Sequence, residues 1–165
     1  MTNQPDRIGD ELRRGYDGDC WHGPPLTEVL KGITPKMAAA KHKHLTHSIW
    51  ELVNHLALWI EIVTLRTVES RPIGDPATGD FASPGDASDE AWQKTLADLD
   101  RQHRKLLEVV DELDDTQLDR IVPGKSYPIA VMLHGTAQHF AYHAGQIALM
   151  RKIDGAAPSP GNSGR

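Results

Sequence analysis

Residues 128–153 read PIAVMLHGTAQHFAYHAGQIALMRKI, a run with a single proline, at its first position. Proline there suits the opening of a helix, where its missing N–H would have no partner anyway. On a wheel of about 100° per residue with Ile129 at zero, Met132, Thr136, Phe140, Ile147 and Met150 fall within roughly 60° of it, and Gln138, Gly145 and Lys152 fall opposite. The pattern predicts one long amphipathic helix from Pro128 to about Ile153.

Moving outward, the same periodicity recurs three times. Ser88 with Asp89 and Glu90 opens a helix that carries Trp92, Leu96, Leu99, Leu106, Val110 and Leu113 on one face. Ser48-Ile49-Trp50-Glu51 has the form of a capping box, in which the serine takes an orphan amide of the first turn and the glutamate reaches back to the cap, so a helix is expected from Ser48 to about Glu69. Ile8, Leu12 and Tyr16 mark a first helix over about Asp6 to Tyr16. Short pieces follow it, from Leu26 to Lys31 and from Thr34, an N-cap with Pro35 behind it. Arg71-Pro72 through Pro84-Gly85 is rich in Gly, Pro, Asp and Ser and reads as a mobile surface loop. No alternating strand is convincing. The expected fold is all-α, a four-helix bundle with short connector helices between the first and second long helices. One domain should cover residues 1–153, with a disordered tail over residues 154–165.

Length and composition agree. A chain of 165 residues, 39% apolar and 25% charged, suits a single core. A net charge of −5 offers nothing to nucleic acid or to an anionic membrane. Leu56 to Ile60 is broken by Glu61, far short of the roughly 20 residues that span a bilayer. MTNQPDRIGDELRR lacks the basic start and apolar segment of a signal peptide, so the cytoplasm is expected. Nine histidines stand against one cysteine, Cys20. A transition metal, if held, would be held by imidazole.

Facing divides the histidines. His143 falls near 320° and His139 near 280° on the last helix, inside the apolar stripe and at its margin. At i and i+4 their rings lie one above the other and can converge on one ion about 2.0–2.1 Å from each nitrogen. His55 lies beside Trp59 on the flank of a face made by Ile49, Leu52, Val53, Leu56, Ile60 and Val63. Two inward histidines on one helix and a third on another match a tridentate site with an open fourth position. Buried histidines satisfied by hydrogen bonds are the alternative. His103 lies in the stripe of the third long helix and reads as a satisfied core or near-site residue, with ligation as the alternative. His134 falls near 140°, among polar residues, and His22, His42, His44 and His47 fall in loops. In an up-down topology the second and fourth long helices run parallel, and His55 then lies nearer its helix start than His139 by about 6 Å.

With these residues in hand, the chain resembles the DinB/YfiT-like superfamily of metal-dependent enzymes. The likeness rests on SIWELVNHLALW around His55, AWQKTLADL, HGTAQHFAYHAGQIALMRK and GDCWHGPPL. It implies a bundle holding a divalent ion, zinc or nickel, through His55, His139 and His143. It also implies thiol S-transferase or hydrolase chemistry on a small molecule, since the family includes transferases and an isomerase that use low-molecular-weight thiols. Cys20 alone in a loop agrees with a thiol brought from outside. HFAYH lacks the glutamate of the H-E-x-x-H peptidases. Gln146 could bond a ligand or serve a helix contact, and Glu51 could orient His55 or serve only its cap. The alternative function is a non-catalytic metal-binding dimer, structural or ligand-sequestering. Leu58, Ile62 and Leu65 form a second apolar strip that suits a homodimer.

Overall fold

Both arms of the capping box are made: the Glu51 amide donates to Ser48 Oγ at 3.2 Å and the Ser48 amide donates to the Glu51 carboxylate at 2.9 Å. They start α4 (Ile49–Val68). Thr34 caps α3 (Pro35–Ala39) and Ser88 caps α5 (Asp89–Asp111), as their sequences require. The remaining helices are α1 (Gln4–Tyr16), α2 (Leu26–Leu30), α6 (Asp115–Leu118) and α7 (Ile129–Ile153). The computed structural model describes residues 3–77 and 79–153, and the tail expected at 154–165 lies outside them. Among the described residues the chain is all-helical, without strands.

Two short features depart from expectation. Pro128 stands one residue before α7, paired with Ile121 in an isolated bridge that closes the turn at Gly124 (φ +76°). Helix α6, not among the helices expected from the sequence, is held by an Asp114–Gln117 capping box.

The four long helices neighbour one another in the order α1, α5, α4, α7 and back to α1. Side-chain pairings give their directions. Glu11 meets His134 and Gly15 meets Ala137 and Phe140, so α1 and α7 run parallel. Arg13 meets Asp111 while Tyr16 meets His103, so α1 and α5 run opposite ways. Across α4 and α7, His55 meets His139 and His143, whereas Thr67 near the end of α4 accepts a bond from Arg120, ahead of α7. Helices α4 and α7 are therefore antiparallel, not parallel as an up-down order would make them. The offset of about 6 Å worked out for parallel helices therefore does not apply to this pair.

The cause is the segment between α4 and α5. It does not stand off as a mobile surface loop but runs back along α4. Arg66 bonds Ile73 and Asp75, Trp59 bonds Asp80, Asn54 bonds Ala82, and Glu51 takes the Ser83 hydroxyl. Two of its carbonyls, on Ile73 and Ala82, and the side chains of Asp75, Asp80 and Ser83 are bonded to α4, which holds a Gly/Pro/Asp-rich segment along that helix. Helix α5 then starts beside the start of α4, where the Trp50 and Trp92 rings lie 4.9 Å apart and the Trp50 indole donates to Thr95 at 2.9 Å. Trp50, Trp92, Leu56, Leu99, Leu106 and Phe140 are among the largest fully buried side chains. Of the second strip on α4, Ile62 is buried within the chain, while Leu58 and Leu65 are half-buried.

Candidate metal centre

His55 reaches the interior from the second turn of α4, and His139 and His143 from successive turns of α7. Their Nε2 atoms converge: His55 to His139 is 3.0 Å and His143 to His139 is 2.8 Å. The ligand atoms of all three lie within 4.8 Å of one another, the only such group of three found among the described residues. The sequence placed these same three inward. His55 and His143 are buried and His139 is half-buried.

The far side of two rings sets their tautomers. Gln146 Oε1 lies 2.6 Å from His143 Nδ1. A carbonyl oxygen can only accept, so Nδ1 carries the proton and Nε2 keeps its lone pair. Asp80 Oδ2 lies 3.2 Å from His55 Nδ1, within ion-pair range though off hydrogen-bond alignment, and it also accepts from the Trp59 indole at 2.8 Å. A carboxylate there favours the proton on Nδ1 of His55 as well. Two lone pairs then face His139, whose single Nε2 proton can satisfy only one of them. The cluster has more acceptors than donors, which is the chemistry of a cation's ligand set. Three nitrogens about 2.0–2.1 Å from a tetrahedral ion stand roughly 3.3 Å apart, close to the separations of His139 from His55 and from His143.

The electrostatics agree. Burial first, then His143, push the His55 pKa down to about 4 against the pull of Asp80. Burial and the two neighbouring imidazoles push His139 down to about 4. Burial also lowers His143, against its bond to Gln146. Burial would raise the Asp80 carboxyl, but the Trp59 N–H and His55 hold it below the usual range. All three imidazoles are thus neutral, as ligands must be.

The other candidates separate from this cluster. His103 is buried and stacks on Tyr16 at 3.8 Å, edge-on to Phe140, so it belongs to the core. His134 is exposed and pairs with Glu11. The Glu51 carboxylate is occupied by the Ser48 amide, the Ser83 hydroxyl and Lys41; burial would raise its pKa, and these bonds overcome that and lower it to about 2. It acts as a cap, not as a partner of His55. Gln146 supports His143.

Two residues at the site were not singled out in the sequence, Asp80 and Phe81. The Phe81 ring lies 4.1 Å from that of His55 and 3.7 Å from that of His47, nearly parallel to both. A phenylalanine inside a polar, Gly/Pro-rich stretch was the available signal, because such a ring needs cover.

Beside His139 opens a cavity of about 380 Å³, walled by Trp59, Val63, Val131 and Met132 and reaching Arg66. A larger cavity of about 670 Å³, between α4 and α5 near Trp50 and Asp98, does not touch the histidines. No described helix is long and apolar enough to cross a membrane.

Compared with known families, the chain matches the family model described as the DinB superfamily over residues 24–147, a span that contains all three histidines, Asp80 and Gln146. No curated protein and no solved structure matches it.

Proposed function

From the premise that this chain belongs to the DinB superfamily, we propose that it is a metal-dependent enzyme of small-molecule chemistry, a thiol S-transferase or hydrolase built on a four-helix bundle. His55, His139 and His143 hold one divalent transition-metal ion, zinc or nickel. The observation that carries the reading is the convergence of three Nε2 atoms with an acceptor behind two of the rings. When bound, such an ion supplies the Lewis acidity that makes a thiol or water nucleophilic at neutral pH.

The protein's own part is positional. Asp80 and Gln146 fix ring tautomers, Phe81 covers the outer face of His55, and the cavity beside His139 receives the substrate away from bulk water. Cys20 gives its S–H to the Arg14 carbonyl and is no member of the cluster, so a thiol nucleophile comes from a separate small molecule. His103 does not close the fourth ligand position, which favours an open, reactive site over a structural one.

Elemental analysis of the purified protein tests this: close to one zinc or nickel per chain is expected, and a metal-free protein that takes up neither ion on dialysis would overturn it. We further propose a cytoplasmic homodimer, supported by the half-exposed Leu58 and Leu65. Sedimentation equilibrium checks that, and a monomer mass at micromolar concentration would rule it out.

A further inference from the structure

The cavity beside His139 has a second polar end. Arg66, in the last turn of α4, lines it, and only 3% of its side chain is exposed. Its Nε donates to the Ile73 carbonyl at 3.1 Å and its Nη2 to Asp75, while the guanidinium lies 5.7 Å over the Trp59 ring. No described residue takes the donors on Nη1. Nη1 is not fully enclosed by protein, and since Arg66 lines the cavity an acceptor on a bound molecule can reach it there.

The charges around it point the same way. Asp75 is shared between Arg66 and Lys125, which reaches it at 3.0 Å, and the Arg120 guanidinium sits nearby on the Thr67 carbonyl. Asp75 divides its charge between Arg66 and Lys125, so Arg66, a cation lining the cavity, is only partly neutralised, and a positive group in a cleft with apolar walls attracts an anion. Between the two ends the walls are mainly Trp59, Val63, Val131 and Met132, which offer apolar contact area, with Tyr127 and Thr136 beside them, the Thr136 hydroxyl already given to the Met132 carbonyl. Because α4 and α7 are antiparallel, the ends are set by register: His139 lies by His55, and Arg66 seven residues beyond Trp59, about 10 Å along the helix at about 1.5 Å per residue.

We infer that this cavity binds an organic anion, its acidic group on Arg66, its apolar body along Trp59 and Met132, and its reacting end at His139. The placement of the reacting end rests on the metal reading above; the anion end does not.

Calorimetric titration of the purified protein with 6-phenylhexanoate and with its neutral amide tests the inference, with the metal content of each sample measured alongside. The acid should bind about tenfold tighter or better, the size of one charge-assisted hydrogen bond. That preference should vanish in Arg66→Gln. Since Arg66 also supports the chain at Asp75, Val131→Glu is the second variant: this residue is 55% exposed, lines the cavity, and would place a repelling charge in it without disturbing the core. Loss of the preference in Val131→Glu with unchanged circular dichroism supports the site. Equal binding of acid and amide, or a preference that survives both substitutions, overturns it. A metal-loaded protein without the preference defeats the anion site alone, whereas a preference in protein that takes up no metal defeats the metal reading and leaves the anion end standing.

Discussion

His103 and the cluster of His55, His139 and His143 are both buried among the helices, and burial holds all four imidazoles below their ordinary pKa. They differ in what their nitrogens face. His103 lies flat on Tyr16, and its Nε2 meets no polar partner. In the cluster the nitrogens face one another, with Asp80 and Gln146 behind two of the rings. Burial alone makes a core residue. Burial with converging lone pairs and acceptors behind them makes a group of nitrogens suited to hold a cation.

The sharpest way to break that comparison is to delete one ring from each region. His143→Ala should lower bound metal from about one ion per chain to near zero, while His103→Ala should keep its metal and lose roughly 2 kcal/mol of stability through the cavity it leaves. Elemental analysis and urea unfolding read the two effects, and metal loss in His103→Ala would erase the distinction.

Asp80→Ala probes the support behind the rings. Losing such a partner lowers metal affinity about 10–100-fold, which competition against a chromophoric chelator measures. Unchanged affinity would reduce Asp80 to a partner of Trp59.

A third test uses pH. His55 and His139 have folded pKa values of about 4, below the roughly 6.5 of the unfolded chain. Between these values the unfolded state binds more protons, so their contribution to stability is complete above about pH 6.5 and is lost as pH falls toward 4. Metal-free protein should therefore weaken in urea across this window, and metal uptake by the folded chain should persist to about pH 5. A midpoint for uptake near 6.5 would mean that the rings titrate as exposed imidazoles.

The smallest effect separates capping from chemistry. Ser48→Ala should cost about 1 kcal/mol, the usual loss for an N-cap, and Glu51→Gln should leave the metal content unchanged. A metal loss in Glu51→Gln would move this carboxylate from cap to site.

Much of this was legible in the residues themselves. Caps are local, so Ser48, Thr34 and Ser88 located their helices to within a residue or so. Facing is periodic, so His139 and His143 could be turned inward from the spacing of Phe140, Ile147 and Met150. The path of the chain between α4 and α5 was not legible. Its Gly, Pro and Asp residues suit a free loop as well as one pinned to α4, and the choice is made by Asn54, Trp59 and Arg66, side chains of another element. Asp80 and Phe81, and the antiparallel run of α4 and α7, were hidden for the same reason.

X-ray absorption at the metal edge reads the ligand shell of His55, His139 and His143 itself. Three imidazole nitrogens at about 2.0–2.1 Å are expected, plus one further ligand that exchanges when a small thiol is added. A shell dominated by sulfur or by carboxylate oxygen in the thiol-free protein, or an imidazole signal unchanged in His143→Ala, would contradict a three-histidine site.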